Sequence, residues 1–333
     1  MITDSAVGAD GYDRMIVTAV TARVPAKVNL QLSVGPPRAD GYHDLVTVFH
    51  ALTLFDEVTV APADADSVRV SGEGASSVPL DGDNLAARAV SALTDAVGPG
   101  CRDAPGLAIE IRKRIPVAAG LAGGSADAAG ALVACNELCG TGLSQQELAE
   151  IAGRVGSDVA FALHGGTAVG LGRGEQVTPA LVAGTYHWVL AFAAQPLSTP
   201  AVYAACDRLR AAQPGRDGAG PPAGPQLSTA LMAALRSGDP AEVGPLLAND
   251  LQPAAISLQP GLRRALAAGR EQGALGAIVS GSGPTCAYLA RDAAHARDLA
   301  VALTGAGVCR SVVAVTGPAP GATVLSTATG LRR

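Results

Sequence analysis

The chain has 333 residues, a formal net charge of -5 and 48% hydrophobic residues. That length suits about two domains, each with its own core, and no basic stripe beyond Arg112-Lys113-Arg114 offers the broad footprint of a nucleic-acid binder. No apolar run approaches the roughly 18 residues of a membrane span, and Asp4, Asp10 and Asp13 precede the first apolar segment, the wrong order for a secretory signal; a soluble cytoplasmic protein is expected.

The N-terminal half alternates strand-like segments with turns. Residues 17–32, 45–60, 67–72 and 107–115 favour β structure, with a helix over 86–97. Pro36-Pro37-Arg38-Ala39-Asp40-Gly41 is a turn signal between the first two strands. The fourth strand leads into Pro116-Val-Ala-Ala-Gly120-Leu-Ala-Gly123-Gly124-Ser125-Ala-Asp127-Ala-Ala-Gly130, and small apolar residues at helical spacing continue to Cys139. Ser144 and Glu147 make a capping box for a helix over 144–155. Gly156-Ser157-Asp158 opens a short apolar helix to Leu163, and 165–174 reads as loop and strand.

A second unit starts with the apolar strand 188–194 and a helix near 201–211. The Pro/Gly-rich segment 213–225 lacks periodicity and reads as a flexible surface insertion. Helices are expected over 229–237, 241–247, 261–272 and 295–303. Residues 277–289 read as strand, glycine turn (Ser280-Gly281-Ser282-Gly283-Pro284) and strand; 311–315 is a last strand, and everything from 317 reads as a frayed tail.

Strand, glycine-rich loop and helix in that order aim free backbone N–H groups and the positive end of a helix dipole at one point, an arrangement that binds phosphate. The segment is neither Gly-x-x-x-x-Gly-Lys-Ser/Thr nor Gly-x-Gly-x-x-Gly, so the best-known nucleotide loops are excluded. Taken alone it supports phosphate binding and nothing finer.

Of the 24 basic residues only Lys27 and Lys113 are lysine. Lysine is a compact ammonium whose pKa moves readily, whereas arginine is a fixed planar fork. Pro25-Ala-Lys27-Val-Asn29-Leu30 puts Lys27 inside an apolar strand, beside Asn29 on the same face. The six cysteines are scattered, with Cys135 and Cys139 sharing a helix face, and the five histidines show no zinc-ligand spacing.

Three pieces (Pro25 to Leu30 with its lysine, the Pro116 to Gly130 loop, and Ser280-Gly-Ser-Gly283) stand in an order and at separations that resemble the motifs of the GHMP kinases. The resemblance runs from about Ala22 to Val315, and Ala39-Asp-Gly-Tyr42-His43 narrows it to members acting on a cytidine diphosphate substrate. It implies an α+β, two-domain GHMP kinase fold. A ribosomal protein S5 domain 2-like N-terminal domain would span 1–182, a ferredoxin-like C-terminal domain 183–316, and a flexible tail 317–333.

The resemblance also implies ATP-dependent transfer of a phosphoryl group, with Mg²⁺, to the 2-hydroxyl of a methylerythritol unit. Such chemistry needs alignment and charge neutralisation more than covalent help. Lys27 and Asp158 match the catalytic positions. Pro116, Ala119, Gly120, Leu121, Ala122, Gly123, Gly124 and Ser125 match the ATP phosphate loop, and Asn84 and Lys113 match residues around adenine. Tyr42, Phe49 and Tyr203 match rings that enclose cytosine, and His43 the residue that reads its edge. Thr199, Asn29 and the Gly281-Ser282-Gly283 turn match contacts to the rest of the acceptor. Ala126 replaces a serine common in the loop, which leaves Mg²⁺ mostly to ATP oxygens and water; Ala160 replaces a proline. The partners implied are this small molecule alone, with no nucleic acid and no membrane, for a monomer or weak homodimer. A mevalonate- or homoserine-type kinase, or a non-catalytic nucleotide-binding homologue, is the alternative.

Overall fold

A computed structural model describes residues 15–98, 104–212 and 224–331. In chain order the elements are β1 (Met15–Pro37), β2 (His43–Ala63), β3 (Ser67–Gly72), α1 (Leu85–Val97), β4 (Gly106–Lys113), α2 (Gly123–Leu138), α3 (Gln145–Val155), α4 (Val159–His164), β5 (Thr167–Gly172) and β6 (Gln176–Pro179). Then follow β7 (Tyr186–Phe192), α5 (Thr199–Ala211), α6 (Thr229–Ser237), α7 (Pro240–Val243), β8 (Ala248–Asn249), α8 (Gln252–Leu258), α9 (Gly261–Glu271), β9 (Gly276–Val279), β10 (Cys286–Ala290), α10 (Ala293–Gly305), β11 (Ser311–Gly317) and β12 (Thr323–Leu331). The expected insertion at 213–225 lies, apart from its last two residues, outside the described residues.

Two sheets carry the architecture. The first has the order β12-β1-β2-β4-β3, with β5 beside β2, β6 beside β5 and the short β8 beside β1; the second has the order β11-β7-β10-β9. β6 closes the first sheet's continuous run and β7 opens the second, on either side of residue 182. Among the described residues no helix is long and apolar enough to cross a membrane.

β1 shows how sequence becomes packing. Val20, Ala22, Val24, Ala26, Val28 and Leu30 alternate along it and are all fully buried in the first core, whereas Leu32 and Val34 continue into the core of the second unit. Its register against β2 shifts between Pro25 and Ala26 and again between Asn29 and Gln31. Such bulges bend a strand and re-aim its side chains, here on both sides of Lys27 and Asn29.

α2 is buried along most of its length, from Gly123 to Cys135, so small residues clothe it all round. A methyl at Gly130 would stand 3.0 Å from Val58 and 3.3 Å from Val24; glycine lets the helix lie close on β1 and β2. The second sheet is covered on both faces. Trp188, Leu190, Ile278, Ala287 and Leu289 face the first core, while Val189, Ala191, Val279 and Tyr288 face α5, α8, α9 and α10.

The segment read as a frayed tail, 317–333, needs correction. β11 runs to Gly317, and β12 pairs antiparallel with the start of β1, with Val20 opposite Thr327. The sequence hides this because the strand's side chains are mostly exposed, so it has no buried alternating face, and Gly317-Pro-Ala-Pro-Gly321 reads as a break. Backbone pairing with β1 defines the edge. The sequence reading also lacks α8 and β6, the partner of the strand read within 165–174, and ends the helix begun at 241 too late.

Candidate active site

β4 delivers the chain to a loop in which Ala118, Gly120 and Ala122 all adopt left-handed backbone angles (φ 50°, 76° and 58°). Two of the three are alanines, each at a cost of about 1–2 kcal/mol, so neighbouring contacts must hold them. Ser280 Oγ and Lys27 Nζ both donate to Gly120 O, at 2.9 and 3.0 Å. The Thr285 N–H donates to Ala119 O, and the Lys27 N–H to Leu121 O. A methyl at Gly120 would stand 2.1 Å from Ser280 O, so only glycine fits where the loop meets the Ser280–Gly283 turn. Ala122 is the N-cap of α2 and no side chain caps the helix. The first-turn N–H groups of Gly123, Gly124 and Ser125 therefore lack intrahelical acceptors and point out of the helix start, where anions are favoured.

The loop borders a cleft of about 720 Å³. Ala118, Ala119, Gly120, Ala122, Gly124 and Ser125 line it; Pro116 and Leu121 are buried, and Gly123 packs over Ile115 and Lys113.

Lys27 and Asp158 meet in the cleft. Lys27 Nζ is 3.8 Å from Asp158 Oδ2 and donates to Asn29 Oδ1 at 2.7 Å. Asn29 donates in turn to Thr47 Oγ1 and Thr47 to Gln31 O, which fixes the amide's orientation. Burial pushes the Lys27 pKa down, and the Asp158 charge partly opposes that. Asp158 stands at the N-cap of α4 but makes no capping hydrogen bond, so its carboxylate stays free, 29% exposed against 7% for Lys27.

Two rings in the cleft suit a planar ligand. His43 lies 5.0 Å from the Tyr203 ring, and its Nε2 is 3.0 Å from Asp207. Burial, helped by the charge of Asp158, raises the Tyr203 pKa, which keeps its hydroxyl protonated. Tyr42 is 54% exposed at the rim. Thr199 Oγ1 and Ser282 Oγ are 2.8 Å apart, tying α5 to the glycine turn. Gly281 (φ 54°) brings that turn over the pair: a methyl there would stand 3.2 Å from Lys27 Nζ and 3.3 Å from Asn29 Oδ1. Gly283 supports the turn from behind, at φ 83° against Val279.

Two further sequence-predicted residues lie outside the cleft lining. Lys113 is turned away from the cleft, buried between Asp56 (2.5 Å) and Asp127 (2.6 Å), and also donates to Gly123 O at 3.2 Å. Asn84 caps α1: its Oδ1 accepts from the Ala86 N–H at 2.9 Å and its Nδ2 donates to Pro79 O at 2.7 Å. Both side chains are engaged in holding the scaffold. Phe49, 2% exposed, lines the cleft beside the pair: it stacks on Phe161 at 4.7 Å and lies 5.9 Å from Lys27 Nζ.

Asp207 and Arg173 line the cleft unforeseen, and Asn249 braces the turn by donating to Val279 O and Gly281 O, both at 2.7 Å. Asp207 was within reach of sequence reasoning, four residues after Tyr203 on one helix. Arg173, between two glycines, carried no signal. Among the described residues no group of three or more His, Cys, Asp or Glu could hold a metal ion.

The family model described as GHMP kinases N terminal domain matches residues 84–166, and that described as GHMP kinases C terminal matches residues 231–309. A protein of Mycolicibacterium smegmatis named 4-diphosphocytidyl-2-C-methyl-D-erythritol kinase is 53% identical over 98% of this chain and 98% of its own. The chain belongs to the GHMP kinase family. A similarly named GHMP kinase of Nocardia farcinica is 55% identical over 93% of this chain and 98% of its own. The crystal structure of a 4-(cytidine 5'-diphospho)-2C-methyl-D-erythritol kinase superposes with a TM-score of 0.69 at 35% identity, covering 89% of this chain and 98% of that one. The stretch matched by the N-terminal model includes the loop built around Ala118, Gly120 and Ala122.

Proposed function

We propose that this GHMP kinase uses ATP to phosphorylate the 2-hydroxyl of 4-diphosphocytidyl-2-C-methyl-D-erythritol, a step of the non-mevalonate route to isoprenoid precursors. The observation that carries the reading is the Lys27–Asp158 pair, 3.8 Å apart, in a cleft lined both by a glycine loop and by the His43 and Tyr203 rings. Names of relatives above 50% identity support the same substrate.

The residues fit a nucleotide triphosphate. An uncapped helix start follows a loop whose left-handed residues turn N–H groups to one side, a concavity for anions. When bound, Mg²⁺-ATP supplies the transferable phosphoryl group and the cation that neutralises it. With no metal-holding group of three or more His, Cys, Asp or Glu among the described residues, the metal would rest on nucleotide oxygens and water, with the Ser125 hydroxyl at hand. Lys27 orients the acceptor oxygen and offsets charge on the incoming group; Asn29 and Gly120 O hold its ammonium in place. Asp158 accepts the hydroxyl proton. The His43 and Tyr203 rings, steadied by Asp207, take the cytosine: stacking on one face and hydrogen bonds at its edge are the general means of reading a single base.

The test is turnover of the purified protein with Mg²⁺-ATP and this acceptor, with the product mapped for the phosphorylated hydroxyl. General-base assistance is worth about 10²–10⁴-fold, so Asp158→Ala should lose about 3–5 kcal/mol of barrier lowering. Lys27→Ala should be similarly impaired, and both should still bind ATP by calorimetry. Turnover of mevalonate or homoserine in place of the cytidine compound, or near-native rates in either variant, would refute the reading.

A further inference from the structure

The Ser280–Gly283 turn is held from behind by polar side chains of the segment Asn249 to Gln252. β8 pairs parallel with β1, Leu32 opposite Asn249, and the Asp250 N–H donates to Leu32 O at 2.9 Å. From that anchor the Asn249 amide nitrogen donates to Val279 O and Gly281 O, both at 2.7 Å, while its Oδ1 accepts the Leu251 N–H at 2.9 Å. Gln252 Oε1 accepts the Val279 N–H at 2.9 Å. A planar amide supplies two donors and an acceptor from one group, and here every one of these roles is filled by backbone.

The consequence lies on the other side of one peptide bond. In a trans peptide the C=O and the N–H point in opposite directions. Gly281 O is drawn back toward Asn249, which does not line the cleft, so the Ser282 N–H points forward into the cleft that Gly281 and Ser282 do line. Among the described residues no protein group accepts that N–H, although Ser282 is only 8% exposed. The Ser282 hydroxyl is already engaged with Thr199. The turn stands over the reacting pair, since a methyl on Gly281 would be 3.2 Å from Lys27 Nζ and 3.3 Å from Asn29 Oδ1. A buried N–H without an acceptor is costly, and beside a lysine in a cleft it is placed for an oxygen that arrives with a ligand.

We propose that Asn249 is a positioning residue for the phosphoryl transfer: by holding Gly281 O at the back of the turn, it keeps the Ser282 N–H aimed at the oxygens of the group in transit. The inference rests on the Lys27–Asp158 pair being the reacting centre. A neutral donor fixed by the fold adds no charge to the ground state, and its hydrogen bond strengthens as negative charge gathers on the oxygen it faces. Asn249 itself touches no ligand and acts through one peptide plane.

Asn249→Asp tests it. The variant keeps the shape and the bond from the Leu251 N–H but sets a carboxylate oxygen against two carbonyl oxygens, so the Gly281 peptide should turn its carbonyl into the cleft. A fixed donor at developing charge is worth up to about 10²–10³-fold in kcat. The variant should lose at least about tenfold in kcat, with the KM values for ATP and acceptor within about threefold of wild type. Unchanged ATP affinity by calorimetry reports that the fold is intact. A crystal structure of the variant should show the turned peptide. One of the wild-type protein with acceptor and a non-hydrolysable ATP analogue should place a ligand oxygen about 3 Å from Ser282 N. Native kcat in the variant, an unturned peptide, a loss confined to KM, or a wild-type complex with no ligand oxygen near Ser282 N would each overturn the proposal. If the variant does not fold, the wild-type complex decides alone. If the wild-type protein leaves the cytidine compound unphosphorylated, the substrate is misassigned, and the peptide's orientation in the variant still decides the role of Asn249.

Discussion

Lys113 and Asp56 stand 2.5 Å apart beneath the glycine loop, and the same ammonium lies 2.6 Å from Asp127. Asp56 also accepts the N–H groups of Arg114 and Ile115, just before the loop, and Lys113 donates to Gly123 O, just after it. One buried ion cluster thus ties both ends of the loop to β2. The second lysine of the chain braces the glycine loop from below.

Removing the cation should be severe. Lys113→Met leaves two buried carboxyl groups uncompensated, a loss of about 3–5 kcal/mol, seen as a lower urea midpoint. Asp127→Asn should cost less, because the amide oxygen still accepts from Lys113. It also changes the pH response. Burial first, and the nearby Asp56 charge as well, push the Asp127 carboxyl well above the usual range against the pull of Lys113. Above the ordinary carboxylate range the folded chain keeps a proton that the unfolded chain has released, so stability falls as pH rises through that window. In Asp127→Asn this fall should disappear; a slope identical to wild type in urea titrations would contradict it.

The two lysines should titrate in opposite directions. Burial draws the Lys27 pKa down despite Asp158, whereas Asp127 and Asp56 carry the Lys113 pKa above its usual value in spite of burial. With two lysine side chains in 333 residues, carbon-13 labelling at Cε gives two signals. On raising the pH, Lys27 should move first. In Asp158→Asn, Lys27 loses the charge that sustains its ammonium and should titrate lower still. Coincident titration of both signals would contradict the geometry.

His50 should make the fold acid-sensitive. It is buried on β2, its Nδ1 2.7 Å from Thr167 Oγ1 and its ring against Tyr186 and Trp188, where the two sheets meet. Burial lowers its pKa to about 3. The unfolded chain gains a proton near pH 6.5 and the folded chain only near 3, so stability drops as pH falls between these values, by up to about 1.4 kcal/mol per unit. His50→Gln should flatten the slope between pH 6 and 4 by about that amount, whatever its effect on stability at pH 7.

Truncation after Gly321 should expose the edge of β1. Its first residues then lose the partners supplied by Thr323–Leu331, and a long unpaired edge recruits other chains. The shortened protein should melt lower and aggregate in a concentration-dependent way, read by light scattering. An unchanged melting curve would mean that β12 adds nothing.

Much of the site was legible because its signals are local. Lys27 and Asn29 two apart in a strand share a face, and their hydrogen bond follows from that. The capping box of Ser144 and Glu147 and the free carboxylate at the start of α4 are likewise written within a few residues. What stayed hidden depends on distant partners. Nothing near Lys113 announces Asp56, 57 residues away, as its counter-ion. The left-handed alanines 118 and 122 contradict local preference and exist because the Ser280–Gly283 turn and Lys27 hold the loop. β12 lacks an apolar face and is a strand only because β1 lies beside it.

β1 has a mechanical consequence. A single unbroken strand threads both hydrophobic interiors and is laced to β2 as far as Pro37 opposite His43. The two lobes share a spine and cannot swing apart as jaws do without unzipping it.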